Sequence, residues 1–271
     1  MRWLLALLLP LIAVQTVRAQ DAPAYDMEVD VELVLAVDVS RSMSPRELEI
    51  QRRGYAEALS SDEVIRVIET GMLGRVAIVY IEWAGSFSQR VIVDWTLIDG
   101  PEPARAFATK LTSRFDPALR RTSISGGLTF AAGLFADNGY EGLRRVIDVS
   151  GDGPNNMGNP VLPVRDAVVA QGIIINGLPL MTREGMGAQW HLDDLDEYYR
   201  HCVIGGPMSF VIPVLDWDEF AAAVKRKLVL ELAGRAPSAQ PRLIRASEEP
   251  GYDCLIGEKI WERLRDNWIQ P

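Results

Sequence analysis

Four short apolar runs set the architecture open to this chain: residues 31–37, 75–83, 145–150 and 173–178. Each is too short for a buried helix and nearly continuous in apolar character. That is the pattern of strands covered on both faces. Most are separated by stretches long enough to hold a helix, and parallel strands need crossovers of that length. The runs at 75–83 and 90–95 are the exception, joined only by Ala84-Gly85-Ser86. So short a link demands antiparallel pairing.

The intervening stretches carry helix signals. Ser44-Pro45-Arg46-Glu47 offers an N-cap at Ser44, a proline at the first helical position and a capping box closed by Glu47. Leu48, Tyr55 and Leu59 then share a face. Further helices are expected over 102–112, over 125–136 with Leu128, Ala132 and Phe135 inward, and from Asn159-Pro160 with Val161, Val164 and Val168 inward until Gly172. A short polar, aromatic helix is expected in 189–199 and a last strand over 209–215. Asp216-Trp217-Asp218-Glu219 then caps a helix bearing Phe220, Val224, Leu228 and Leu232. The expected fold is α/β: a Rossmann-like, doubly wound, mostly parallel six-stranded sheet with one antiparallel edge strand and helices on both faces.

Residues 1–19 read as a secretory signal peptide: a basic start at Arg2, an apolar stretch from Leu4 to Val14, and small residues before a cleavage point after Ala19. The stretch is shorter than a bilayer requires, and no stable membrane insertion is expected after cleavage. The organisation expected is a signal peptide over 1–19, one domain over 20–234, and a linker and tail over 235–271. Within the tail, Ile260, Trp261, Leu264 and Trp268 form a candidate docking face. The address is periplasmic or secreted. Removing Arg2 and Arg18 leaves 26 basic against 37 acidic residues, a net charge of −11. Such a protein repels nucleic acid and anionic membranes. Cys202 and Cys254 fall in the exported part, where disulfides persist, so a bridge to the tail and a pair of buried thiols are both open.

The chemistry-bearing residues fall in three loops at the carboxyl edge of the sheet, where open α/β sheets bind ligands. In ELVLAVDVSRSMSPRE, Asp38, Ser40 and Ser42 follow the first strand two residues apart. Thr122 precedes the helix near Ser125, and Asp152 follows the strand over 145–150 in Ser150-Gly151-Asp152-Gly153. Taken singly, each of the five residues has an ordinary reading as a helix cap or turn residue. Together they form a set of hard oxygens suited to a divalent cation.

These three loops resemble the metal-ion-dependent adhesion site (MIDAS) of von Willebrand factor type A domains. Asp38, Ser40 and Ser42 match its Asp-x-Ser-x-Ser, Thr122 its threonine, and Asp152 its second aspartate. The wording VYIEWAG and DVSGDGPNN is further similar to an uncharacterised, DUF1194-like group of exported bacterial proteins. The resemblance covers roughly 30–234 and implies a von Willebrand-type fold. It also implies magnesium (or manganese or calcium) at the five residues, and a protein partner that supplies a carboxylate to the metal. Binding rather than turnover follows, so no catalytic residue is assigned. A metal-dependent hydrolase and a structural envelope protein with a non-functional site are the alternatives. Against the hydrolase, the second aspartate position of a phosphatase is Ser40 here, and neither His191 nor His201 sits in a zinc motif. Glu82 reads as a surface acid, or else as support for the site. Asn155 and Asn156 either line the ligand face or serve as turn residues.

Overall fold

A computed structural model of the chain describes residues 26–113, 119–182, 192–235 and 251–269. Residues 1–25, on which the signal-peptide reading falls, His191 and residues 236–250 lie outside them.

The order of elements is β1 (Met27–Val29), β2 (Glu32–Asp38), α1 (Pro45–Leu59), α2 (Asp62–Glu69), β3 (Val76–Trp83), β4 (Gln89–Ile98), α3 (Pro101–Thr112) and α4 (Ile124–Gly133). There follow β5 (Tyr140–Gly142), β6 (Arg145–Gly151), α5 (Val161–Val169), β7 (Ile173–Pro179), α6 (Leu195–Tyr198), α7 (Phe220–Leu232) and α8 (Ile256–Ile269). A π turn, Tyr199–Val203, extends α6, and a 3-10 turn, Trp217–Glu219, leads into α7.

The main sheet has the order β4-β3-β2-β6-β7, with β4 antiparallel at one edge and the others parallel. β1 and β5 make a separate two-stranded pair. Every residue of β2 and β3 is buried, because their alternate side chains face two different cores. Leu33, Leu35 and Val37 pack with α1, α2, α3 and α7, whereas Val34 and Ala36 pack with α4, α5 and α6. The expected doubly wound α/β architecture is therefore the one observed. Among the described residues, no helix is long and apolar enough to cross a membrane.

Strand number differs from expectation: the sheet has five strands, not six. Segment 209–215 runs beside β7 in the parallel sense but makes only isolated bridges, at Gly177–Val211 and Leu180–Val214. Gly177 N–H donates to the Phe210 carbonyl at 3.0 Å, Ile212 N–H to the Gly177 carbonyl at 3.0 Å, and Val214 N–H to the Pro179 carbonyl at 2.9 Å. The next donor needed, opposite the Ile212 carbonyl, is residue 179. Proline has no N–H, so the ladder breaks there. The helix expected over 125–136 also ends earlier, at Gly133.

A buried ionic cluster ties α7 to the sheet. Lys227 is fully buried between Asp148 of β6, at 2.6 Å, and Glu231 one helical turn on. Asn176 of β7 donates to Glu231 at 2.9 Å and accepts the Phe210 N–H at 3.0 Å. Burial and the Asp148 charge push the Glu231 carboxyl up to about 7. Between the ordinary carboxylate range and that value the folded chain binds the extra proton, so this group's contribution to stability falls as pH rises through the window. Replacing Lys227 by Met strands two buried carboxylates. We expect a loss of about 3–5 kcal/mol near neutral pH. The loss should shrink on acidification, when the carboxyls are neutral, as read by urea unfolding at several pH values. An equal loss at every pH would contradict this role.

Candidate metal centre

The parallel pairing of β2 with β6 sets the site. Val37 lies opposite Ser150, so Asp38 and Asp152 emerge from neighbouring strands at the same edge. The Thr122 loop is stitched to both. Leu119 N–H donates to the Val39 carbonyl at 2.8 Å, and Asn156 N–H to the Thr122 carbonyl at 2.9 Å. Asn156 returns the bond, its Oδ1 accepting the Thr122 N–H at 3.1 Å.

The donors form a connected set. Ser40 N–H donates to Asp38 Oδ1 at 2.7 Å, which folds the turn back on the strand end. Ser40 Oγ and Ser42 Oγ are 2.8 Å apart, and Ser42 Oγ donates to Asp152 Oδ1 at 2.9 Å. Asp38 is fully buried, and its Oδ2 has no hydrogen-bond partner. Burial and the nearby Asp152 charge hold the Asp38 carboxyl well above the usual range. Burial pushes Asp152 up to about 6, against the lowering effect of the Ser42 hydrogen bond.

Capping accounts for neither serine nor for Thr122. At α1 the cap is Ser44, whose Oγ accepts Glu47 N–H while Glu47 accepts Ser44 N–H at 2.6 Å. At α4 the cap is Ser123, which accepts Gly126 N–H at 3.1 Å. The hydroxyls of Ser40, Ser42 and Thr122 are thus left for the loop cluster itself. Among the described residues, no group of three or more His, Cys, Asp and Glu side chains gathers to hold a metal. The set instead offers two carboxylates and three hydroxyls, all hard oxygens. The orphaned Asp38 oxygen and the raised carboxyls fit a divalent cation, which favours both charged forms.

Other expectations come out differently. Glu82 is not a surface acid. It is buried between Arg52 and Arg90, at 2.6 Å from each, and clamps α1 to the β3–β4 hairpin. Asn155 is fully buried and structural: its Oδ1 accepts Ser125 N–H at 3.1 Å, and its Nδ2 donates to Glu258 at 2.7 Å. His201 stacks on Tyr252. Cys202 and Cys254 form a disulfide, which resolves the pairing left open above.

The sequence reading missed Gly151, Tyr199 and the approach of α8. A Cβ on Gly151 would lie 2.8 Å from Tyr199 Oη and 3.1 Å from Asp38 Oδ2, so only glycine lets ring and carboxylate close on that strand end. The Gly-Asp-Gly turn was the available signal. Above the donors opens a cleft of about 500 Å³. Ser40, Ser42, Thr122 and Asp152 line it, and Arg41, Arg120, Arg121 and α8 form its walls.

The fold is of the von Willebrand factor type A class, similar to solved structures of that kind. The structure of von Willebrand factor type A from Catenulispora acidiphila superposes with a TM-score of 0.52 at 14% identity, covering 76% of this chain and 43% of that one. Proximal thread matrix protein 1 from the mussel byssus, with a zinc-occupied MIDAS motif, gives 0.54 at 14%, covering 77% and 49%. The pilus adhesin SpaC from Lactobacillus rhamnosus GG, in its open conformation, gives 0.52 at 13%, covering 75% and 30%. This chain therefore spans about half or less of each of these proteins. Within the class, the chain belongs to the family described as protein of unknown function (DUF1194), which matches residues 28–236. Comparison with curated proteins gives no match.

Gly151→Ala should destabilise the chain by about 1–3 kcal/mol through overpacking against Tyr199 and Asp38. Chemical unfolding reads this directly, and unchanged stability would contradict the close packing.

Proposed function

We propose that this chain binds a protein partner through a divalent cation, magnesium or else manganese or calcium. Asp38, Ser40, Ser42, Thr122 and Asp152 would hold the ion, and a carboxylate of the partner would complete its shell. The observation that carries the reading is the buried Asp38 Oδ2, fully desolvated and without a hydrogen-bond donor beside a second raised carboxyl. A buried carboxylate oxygen in that state is costly unless a cation meets it. The ion supplies a Lewis-acidic position for an anionic ligand. Asp38 and Asp152 supply nearly all the compensating charge. Ser40, Ser42 and Thr122 supply neutral oxygens, which leave the ion its affinity for a further carboxylate. We assign binding, not catalysis.

Two observations support a protein partner. Phe87, at the tip of the β3–β4 hairpin, is 95% exposed, and Met157 in the Asp152 loop is also exposed. Both line a second depression, at the start of α4 and separate from the cleft above the donors, and apolar side chains grouped there favour a macromolecular ligand. The zinc in the mussel protein's MIDAS motif and the adhesin role of SpaC belong to those proteins, and both are compatible with the reading. Export to the periplasm or beyond is part of the proposal, supported by the signal-like residues 1–19 and the Cys202–Cys254 disulfide.

Metal-free, both raised carboxyls bind protons that the unfolded chain does not, and the Asp152 contribution to stability falls as pH rises through about 4–6. A cation needs the deprotonated pair and stabilises more above that window. Magnesium should therefore raise Tm more at about pH 7.5 than at about pH 5, and equal gains would count against the site. For the partner, capture from an envelope extract should succeed with wild type and fail with EDTA or with Asp38→Ala. A partner retained under both treatments would sink the proposed function.

A further inference from the structure

Helix α8 lies beyond the residues that the family matches, yet it builds one wall of the cleft through Gly257, Ile260 and Trp261. Its seat is specific. A Cβ on Gly257 would come 2.1 Å from the Asn155 carbonyl oxygen, so a glycine is needed for the helix to reach the Asp152 loop. Glu258 accepts a hydrogen bond from Asn155 Nδ2 at 2.7 Å, and Cys254, just ahead of the helix, is bonded to Cys202. Asn155 also accepts Ser125 N–H from α4. The wall is thus braced against the loop that carries Asp152.

The rest of the rim is basic. Arg121 lies over the Trp261 ring, 3.4 Å from its centroid. Arg41 and Arg120 are exposed and, among the described residues, make no ion pair. The chain as a whole carries −9, yet three arginines ring this one cleft. With Asp38 and Asp152 balanced by a divalent cation, the rim is left with an uncompensated positive charge. A nucleic acid would meet that rim but also the acidic remainder of the surface. An acidic protein segment, small enough to sit within the cleft, meets only the rim.

We propose that α8 and the arginine rim select a partner segment in which the metal-liganding carboxylate is flanked on one side by a second acidic residue and on the other by an aromatic or aliphatic side chain. The acidic flank pairs with Arg41 and Arg120, and the apolar flank packs on Ile260 and Trp261. This rests on the reading that a partner carboxylate completes the ion's shell.

The test is calorimetric titration of the full chain, in magnesium, with four short capped peptides. They carry Phe-Asp-Glu, Phe-Asp-Gln, Ala-Asp-Glu and Phe-Asn-Glu. Phe-Asp-Glu should bind best, with the second and third weaker by about tenfold each. Trp261→Ala should abolish the preference for Phe over Ala. The double variant Arg41→Gln, Arg120→Gln should abolish the preference for Glu over Gln. Both variants should still take up one manganese without peptide, which shows that the fold and the ion's donors survive. If the three Asp peptides bind wild type alike, or the variants keep its preferences, this inference fails while the metal reading stands. If Phe-Asn-Glu binds as tightly as Phe-Asp-Glu and EDTA changes nothing, the metal reading fails. Tighter binding of a single-stranded oligonucleotide than of any peptide would overturn the assignment of the rim to an acidic protein segment.

Discussion

One buried carboxylate oxygen governs this structure. Asp38 ends the central strand, flanked on both sides by other strands, where water does not reach it. One of its oxygens is satisfied by the Ser40 N–H, and the other has no hydrogen-bond partner. Apolar residues would fill such a strand end at no electrostatic cost. A carboxylate there, with Asp152 close enough to raise its pKa further, is stable in its charged form only opposite positive charge.

The fold keeps that position rigid. β2 lies between β3 and β6, so its end cannot shift without disturbing two ladders. The loop after it is fastened at its far end by the Ser44–Glu47 capping box, and Glu47 also accepts the Trp217 indole N–H at 3.0 Å. The Glu82 clamp with Arg52 and Arg90 fixes α1 against the hairpin. On the other core face, Asn155 joins the Asp152 loop to α4, and its backbone N–H donates to Tyr198 of α6. Placing oxygen donors well depends on such supports, since a binding set held loosely loses affinity.

Much of this was legible in the residues before any coordinates. β2, β3, β6 and β7 were readable because strands buried on both faces are apolar at successive positions. The α1 start was readable because its cap is local, complete within Ser44 to Glu47. The candidate site was readable because Asp38, Ser40 and Ser42 alternate at a strand end, a pattern that capping does not require. What failed was non-local. Residues 209–215 look like a strand in isolation, and only their pairing against Pro179 removes a rung. Glu82 looked exposed because its partners lie 30 residues upstream, at Arg52, and across a hairpin, at Arg90. Asn155 read equally as a ligand-face or a turn residue, since its partner Glu258 is 103 residues away. Ile260 and Trp261 of the tail line the cleft above the three loops, a placement that tertiary packing alone creates.

The central claim is that the three loops hold one divalent ion, and crystals grown in manganese test it most directly. The account predicts a single anomalous peak within bonding distance of the Ser40 and Ser42 hydroxyl oxygens, with Asp152 beside it and Asp38 beneath. An anomalous map with no peak among these loops, or with its strongest peak at another acidic patch, would contradict it.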